Sequence, residues 1–182
     1  MTLRLIEQFG AQWTRDGDTI AVTPSAHAPA RAEIEADLSG ACYFYALSLL
    51  LRMRVRIPRV HFDTLQGDIA FLRLLEEKDV KLQDTPEGIL ADGRNVSSFT
   101  GFDVNMRDFS DQALTVAALA PFATSGTHIT GIGHIRNQEC DRIHAIVSNL
   151  QSLGIAAEED PDGVRITPGT PRAAIIQTYD DH

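Results

Sequence analysis

The segment LQSLGIAAEEDPDGVRITP, residues 150–168, is the clearest indication of the fold, because IEQFGAQWTRDGDTIAVTP, residues 6–24, repeats its pattern. Gly154 lies 144 positions after Gly10, which is twice 72. Apolar residues of the two stretches align at the same offset: Ile6, Phe9, Ile20 and Val22 with Leu150, Leu153, Val164 and Ile166. Such a fixed period is typical of stacked supersecondary units, each too small to bury a hydrophobic face alone.

An intermediate copy, LLEEKDVKLQDTPEGI at residues 74–89, aligns with the later stretch at an offset of 75. The front of the unit recurs as well, because Asp37, Asp108 and Asp180 are spaced by 71 and 72 positions. The repeat therefore predicts the end of one unit, two complete units and the start of a fourth. We place these at residues 1–34, 35–101, 102–170 and 171–182.

The hydrophobic period inside a unit switches between two and 3.6, which indicates strands alternating with helices. The third unit predicts the order strand, helix, strand, helix, strand, strand. Its segments are FDVNM (102–106), a helix with Ser110 as N-cap, THITGIG (127–133), a helix ended by Gly154, and a hairpin around DPDG (160–163). This order predicts an α/β fold, or α+β in some schemes.

Composition excludes several classes of protein. The chain has 182 residues, 43% of them hydrophobic, so it can bury a core. Its net charge of −9 and the lack of a basic stripe argue against a nucleic-acid partner. Apolar runs are too short to cross a membrane, and the first ten residues lack a signal-peptide pattern. We expect a cytoplasmic protein with two reduced cysteines, Cys42 and Cys140.

The densest group of ionisable residues is HIRNQECDR, residues 134–142. It spans a predicted strand end and a helix start, where free backbone N–H groups and the helix dipole favour an anion. We expect Asn137 to be the N-cap of that helix. The same residues also fit ordinary helix capping, since acidic side chains belong in a first turn.

A second candidate is Asp111, which follows Ser110 at another predicted helix start and at the carboxyl end of a strand. Taken alone, this carboxylate also fits a dipole-stabilised acid without a chemical role. The sequence has no phosphate loop, dinucleotide fingerprint or zinc motif. Any chemistry must therefore come from these clusters of ionisable groups.

These two stretches resemble the 5-enolpyruvylshikimate-3-phosphate (EPSP) synthase family. The resemblance is carried by residues 110–168, by IEADLSGACYFYALSLLL (34–51), by LQGDIAFLRLLEE (65–77) and by TYDDH (178–182). It implies an enolpyruvyl transferase fold with six copies of the unit, three in each domain. On that map, residues 1–34 are the tail of the last repeat of the first domain, and residues 35–182 belong to the second domain.

The resemblance implies transfer of the enolpyruvyl group of phosphoenolpyruvate to the 5-hydroxyl of shikimate 3-phosphate, with release of phosphate. It implies no cofactor and no metal. Asp111 matches the family's proton-accepting aspartate, Glu139 its second proton-transfer carboxylate, and Arg142 an arginine that binds phosphoenolpyruvate. At the position of Gln138 the commonest family residue is a lysine that contacts the acceptor substrate. At the position of His134 some members have a substrate-binding asparagine.

Parts of the family's pattern, including later basic ligands and those of its first half, have no counterpart in this sequence. We therefore expect a fragment of the synthase with little or no turnover by itself. Two alternatives remain. One is a fragment of the related enolpyruvyl transferase that acts on UDP-N-acetylglucosamine. The other is a non-catalytic binding or structural module, which self-associates through its incomplete repeat.

Overall fold

The computed structural model describes residues 1–24, 31 and 33–181 of the chain. The first unit contributes a helix and a hairpin: α1 (Thr2–Gln8), β1 (Gln12–Asp16) and β2 (Thr19–Thr23). The second unit contains α2 (Leu38–Leu50), β3 (Arg54–Arg56), α3 (Ile69–Glu76), β4 (Lys81–Thr85) and β5 (Gly88–Asp92). The third contains β6 (Asp103–Asn105), α4 (Ala113–Leu119), β7 (Thr127–Thr130), α5 (Arg142–Ser152), β8 (Ala157–Asp160) and β9 (Gly163–Ile166).

The first, second and third units each form their own sheet. The strand orders are β1-β2, β3-β5-β4 and β6-β7-β9-β8. Within the third sheet, β6 runs parallel to β7, while β7-β9 and β8-β9 are antiparallel. The helices connect these strands, so the predicted α/β class is confirmed, and the third unit has the predicted order strand, helix, strand, helix, strand, strand.

The helices α1, α3 and α5 all end in the same Schellman motif, in which a residue of positive φ follows the helix. Gly10, Asp79 and Gly154 have φ values of 81°, 66° and 82°. After α5, the Gly154 N–H donates to the Gln151 carbonyl and the Ile155 N–H to the Leu150 carbonyl, both at 2.9 Å. The predicted helix stop at Gly154 is therefore confirmed.

Two predicted helix starts are wrong. Ser110 is not an N-cap but the first residue of a 3₁₀ turn, Ser110–Gln112, and α4 begins only at Ala113. Asn137 ends another 3₁₀ segment, Gly133–Asn137, and α5 begins at Arg142. Its N-cap is Asp141, whose carboxylate accepts the His144 N–H at 3.0 Å. A carboxylate outcompetes the Asn137 amide here because it also forms an ion pair, described below.

The opening strands expected for the second and fourth units are absent from residues 33–37 and 171–181. Side-chain amides replace the missing neighbouring strand in both places. Gln66 accepts the Leu38 N–H at 2.8 Å and donates to the Ala36 carbonyl at 2.7 Å. Asn149 likewise accepts the Gln177 N–H at 3.0 Å and donates to the Gln177 carbonyl at 2.9 Å. A strand needs a sheet edge, and neither segment has one.

One hydrophobic core joins the second and third units, with α2 packed on both α3 and α4. Its largest fully buried side chains include Tyr45, Phe71, Phe102, Leu72, Met106, Ile129 and Ile132. Residues 1–24 contain no buried residue, as expected for part of a unit. Among the described residues, no helix has the length and apolarity needed to cross a bilayer.

Candidate functional site

The guanidinium of Arg142, the first residue of α5, brings four other side chains together. Its Nη1 donates to Asp111 Oδ1 at 3.2 Å and to Gln138 Oε1 at 2.6 Å. Its Nη2 donates to Glu139 Oε2 at 2.9 Å. Its Nε and Nη2 donate to the two carboxylate oxygens of Asp181 at 2.7 and 2.9 Å. All five N–H groups of the arginine therefore have a protein acceptor.

The pair between Arg142 and Asp181 is the most shielded part of this cluster, because both side chains are only 11% exposed. The hydrogen bonds to Asp181 raise the pKa of Arg142 despite partial burial, and the nearby Glu139 and Asp111 act in the same direction. Tyr179 and Asp180 both adopt positive φ, 57° and 53°, in the turn that leads to Asp181. A tight turn with left-handed backbone conformation thus positions the Asp181 carboxylate beside Arg142.

The loop that carries Gln138 and Glu139 is closed by an ion pair between Arg136 and Asp141. Arg136 Nη1 lies 2.9 Å from Asp141 Oδ2 and 2.8 Å from Glu159 Oε2. Its Nη2 donates to the Asp160 carbonyl at 3.0 Å. Partial burial raises the pKa of Asp141, but the His144 N–H and the Arg136 guanidinium outweigh it and lower that pKa overall.

A buried polar network supports Asp111 from behind. The neighbouring Gln112 is fully buried and donates through Nε2 to Asp68 Oδ2 at 2.9 Å. Thr115 donates to the Gln112 amide oxygen at 2.9 Å, and Ser39 donates to Asp68. This network joins the second unit to the third, so it fixes the turn that presents Asp111.

Gly67 allows the loop before α3 to approach that turn. A Cβ atom at Gly67 would lie 2.8 Å from the Asp108 carbonyl oxygen, which is too close for any other residue without a shift. A cavity of about 250 Å³ lies at this junction, and Ser110 and Asp111 are part of its lining.

His134 lies on the other side of Ser110. Its Nε2 is 2.9 Å from Ser110 Oγ. His134 also lines a second, polar cavity of about 440 Å³, together with Asn105, Arg107, Gly131 and Asp162. The histidine is thus one hydrogen bond away from the residue that precedes Asp111.

The structure brings together the five residues proposed from sequence. Asp111, Gln138 and Glu139 contact Arg142 directly, and His134 joins them through Ser110. Sequence reasoning missed Asp181 as a partner of the site, although TYDDH was already part of the resemblance. Arg136 belongs to the same ionisable stretch, residues 134–142, but its guanidinium lies behind the loop on Glu159 and Asp160.

No group of three or more histidine, cysteine or acidic residues in the described part of the chain is arranged to hold a metal ion. Cys42 is buried and Cys140 partly buried, and both are free thiols. Burial raises the pKa of the Cys140 thiol, and the hydrogen bond to Asp181 raises it further.

Comparison with known proteins gives a consistent result. The family model described as EPSP synthase (3-phosphoshikimate 1-carboxyvinyltransferase) matches residues 1–182. A 3-phosphoshikimate 1-carboxyvinyltransferase 2 from Halalkalibacterium halodurans is 40% identical over 187 residues, covering 100% of this chain and 41% of the relative. A 3-phosphoshikimate 1-carboxyvinyltransferase from Nostoc punctiforme is 36% identical over 184 residues, covering 100% of this chain and 43% of the relative. The chain thus spans less than half the length of these curated relatives.

Among solved structures, the EPSP synthase from Acinetobacter baumannii superposes with a TM-score of 0.71 at 18% identity. The match covers 92% of this chain and 40% of that one. At this identity the likeness establishes the fold alone. The family model and the curated relatives carry the assignment further: the chain belongs to the EPSP synthase family.

Proposed function

We propose that this chain supplies one half of an active site that transfers the enolpyruvyl group of phosphoenolpyruvate to the 5-hydroxyl of shikimate 3-phosphate. The observation that carries the proposal is the assembly of Asp111, Gln138 and Glu139 on the guanidinium of Arg142. Two carboxylates near one cation suit a reaction that moves two protons beside anionic substrates. The names of the family and of the curated relatives favour shikimate 3-phosphate over a UDP-sugar as acceptor.

The proposed chemistry is an addition followed by an elimination. In the addition, the acceptor oxygen bonds to the substituted carbon of the enol double bond. Asp111 takes the hydroxyl proton, and Glu139 gives a proton to the methylene carbon. In the elimination, Glu139 takes a proton back from the resulting methyl group as the bond to phosphate breaks. The proton held by Asp111 leaves with the phosphate, so both carboxylates return to their starting states.

Arg142 links substrate binding to this chemistry. Because its five N–H groups already have acceptors, the carboxylate or phosphate of the donor has to replace one of them. Asp111 is the most exposed of the charged acceptors, at 57%, against 41% for Glu139 and 11% for Asp181. We expect the donor to displace Asp111, which frees this base at the moment it is needed, while Asp181 keeps Arg142 in place.

The same proposal assigns Gln138 and His134 to the acceptor. Both side chains can donate a hydrogen bond to a hydroxyl or phosphate oxygen without adding a permanent charge. We also propose that residues 35–182 form the second domain and residues 1–34 the tail of the first, in a cytoplasmic enzyme. The 182-residue polypeptide alone is expected to release little phosphate, because it spans 41% of the Halalkalibacterium halodurans relative.

An amide NMR titration of the purified chain with shikimate 3-phosphate tests the proposal. We expect a well-dispersed spectrum in which the ligand shifts residues 110–112 and 134–142, and no response to UDP-N-acetylglucosamine. A dispersed spectrum that ignores shikimate 3-phosphate contradicts the proposal. A response to the UDP-sugar instead supports the related transferase, and a stable dimer that binds neither ligand supports a non-catalytic module.

A further inference from the structure

Most of the side chains that contact Arg142 are acidic. Three carboxylates, those of Asp111, Glu139 and Asp181, surround the single guanidinium of Arg142. Gln138, the remaining acceptor of Arg142, is neutral. An anionic substrate approaching this cluster meets net repulsion unless another cation stands nearby. A further basic residue at the edge of the site would therefore favour the binding of an anionic substrate.

Arg107 occupies that position. It follows β6 and lines both polar cavities of the site, one of about 440 Å³ and one of about 250 Å³. The first cavity is shared with His134, and the second with Ser110 and Asp111. Since Ser110 and His134 are hydrogen bonded to each other, the two cavities adjoin at this pair, and Arg107 borders both.

The side chain of Arg107 is also available for a ligand. Its backbone N–H donates to Asn105 Oδ1 at 3.1 Å, which holds the main chain of the turn. Its guanidinium, in contrast, forms no hydrogen bond or ion pair with any residue in the described ranges, and the residue is exposed. The other basic residues of this region, Arg136 and Arg142, are already hydrogen bonded to protein acceptors.

We propose that Arg107 binds the phosphate group of the acceptor substrate, shikimate 3-phosphate, with Ser110 and His134 beside it as hydrogen-bond donors. The proposal rests on the proposed function for the identity of that substrate. A guanidinium suits this task, because its fork of N–H groups pairs with two phosphate oxygens at once. Arg107 would thereby offset the excess of carboxylates around Arg142 without entering the proton transfers.

The test compares three ligands on four proteins by amide NMR titration. The ligands are shikimate 3-phosphate, shikimate and inorganic phosphate. The proteins are the wild-type chain, Arg107→Gln, Arg107→Lys and the control Arg56→Gln. Arg56 is a similarly exposed arginine, 51% accessible, whose ion-pair partner Glu87 is 3.4 Å away. Matching spectra in the absence of ligand establish that each variant keeps the fold.

We expect Arg107→Gln to weaken shikimate 3-phosphate binding by about tenfold, Arg107→Lys by less, and Arg56→Gln not at all. Shikimate, which lacks the phosphate, should bind the wild type and Arg107→Gln equally. Equal affinity of the wild type and Arg107→Gln for shikimate 3-phosphate overturns the inference and leaves the proposed function intact.

Inorganic phosphate separates the two proposals. If shikimate 3-phosphate fails to bind but phosphate shifts residues 105–111 in the wild type and not in Arg107→Gln, the inference stands and the proposed function falls. If the wild type responds to neither ligand, both are overturned.

Discussion

The second and third units of the chain place an aspartate before their second helices and use it in different ways. Asp68 precedes α3 and Asp141 precedes α5, 73 positions later. Asp68 is 7% exposed and accepts hydrogen bonds from Gln112 and Ser39, so it joins the two units. Asp141 caps α5 and pairs with Arg136. The same backbone position therefore serves a buried junction in one unit and the candidate site in the other.

The residue that follows each aspartate explains why the two positions have different roles. α3 begins with Ile69, which packs against the core, whereas α5 begins with Arg142, which gathers the carboxylates. The first helices diverge as well. α2 is one helix of 13 residues, while residues 110–122 are divided into a 3₁₀ turn, α4 and a second 3₁₀ turn that contains Pro121. One repeat thus supports either a core or a site, depending on a few helix-start residues.

Replacing Arg142 should have the largest effect. Arg142→Gln removes the guanidinium that pairs with the shielded carboxylate of Asp181, and we expect the free energy of unfolding to fall by about 3 kcal/mol. Arg142→Lys should not restore it, because an ammonium cannot span the same acceptors. Urea denaturation measures the loss. Arg73→Gln on α3, which breaks an exposed pair with Glu76, is the control and should cost less than about 1 kcal/mol. Equal losses would contradict the special role of Arg142.

Replacing the two helix-start aspartates compares their roles directly. Asp68→Ala removes the shorter hydrogen bond of the buried Gln112 amide and leaves it only the Ser39 carbonyl at 3.4 Å, and we expect a loss of about 2 kcal/mol. Asp141→Ala removes an N-cap and one partner of Arg136, and we expect about 1 kcal/mol. Thermal unfolding of both variants shows which substitution destabilises the protein more. A larger loss for Asp141→Ala would show that the junction between units is the weaker of the two.

The ion pairs of Arg136 predict that the stability of the folded protein depends on pH. Arg136 helps lower the pKa values of Asp141 and Glu159 below their ordinary 3.8 and 4.5, despite partial burial. A carboxylate with a lowered pKa in the folded state stabilises the protein above its ordinary pKa, and this contribution disappears as the pH falls through the folded-state pKa. Arg136→Gln should therefore be less stable than wild type at neutral pH, and the difference should close on acidification.

Urea denaturation between about pH 7 and pH 3 measures this difference. Arg165→Gln is the matched control, because Arg165 pairs with Asp160 on the same sheet but is 56% exposed. Its stability should follow the wild-type pH profile. If the free energies of unfolding of wild type and Arg136→Gln differ by the same amount at every pH, the assignment of these ion pairs is contradicted.

Replacing Asp111 should have the smallest effect on stability. Its side chain is 57% exposed, so Asp111→Asn should change the free energy of unfolding by about 0.5 kcal/mol or less. The same change should remove the response of residues 110–112 to shikimate 3-phosphate. Asp103→Asn, at a side chain 93% exposed, is the control and should leave the response unchanged. A full ligand response in Asp111→Asn would remove this residue from the proposed site.

Several features of the fold could be predicted because their causes are local. The hairpins follow from alternating apolar residues around turn sequences, and the stop at Gly154 follows from a residue that tolerates positive φ. The starts of α4 and α5 could not be placed, because several polar residues in a row compete for the cap. Asp141 prevails through its ion pair with Arg136, whose side chain is in turn fixed by β8.

In the candidate site, too, local features could be predicted and tertiary contacts could not. The order of the amino acids is sufficient to predict the repeat, the α/β class and the two segments that carry Asp111, Gln138, Glu139 and Arg142, because periodicity and motifs are local properties of the chain. The packing of the folded chain, in contrast, brings Asp181, 39 positions from Arg142, to complete the contacts of the guanidinium. It also decided that Arg107 borders both cavities while Arg136 faces away. Such pairings depend on how separate elements pack, and spacing along the chain does not encode them.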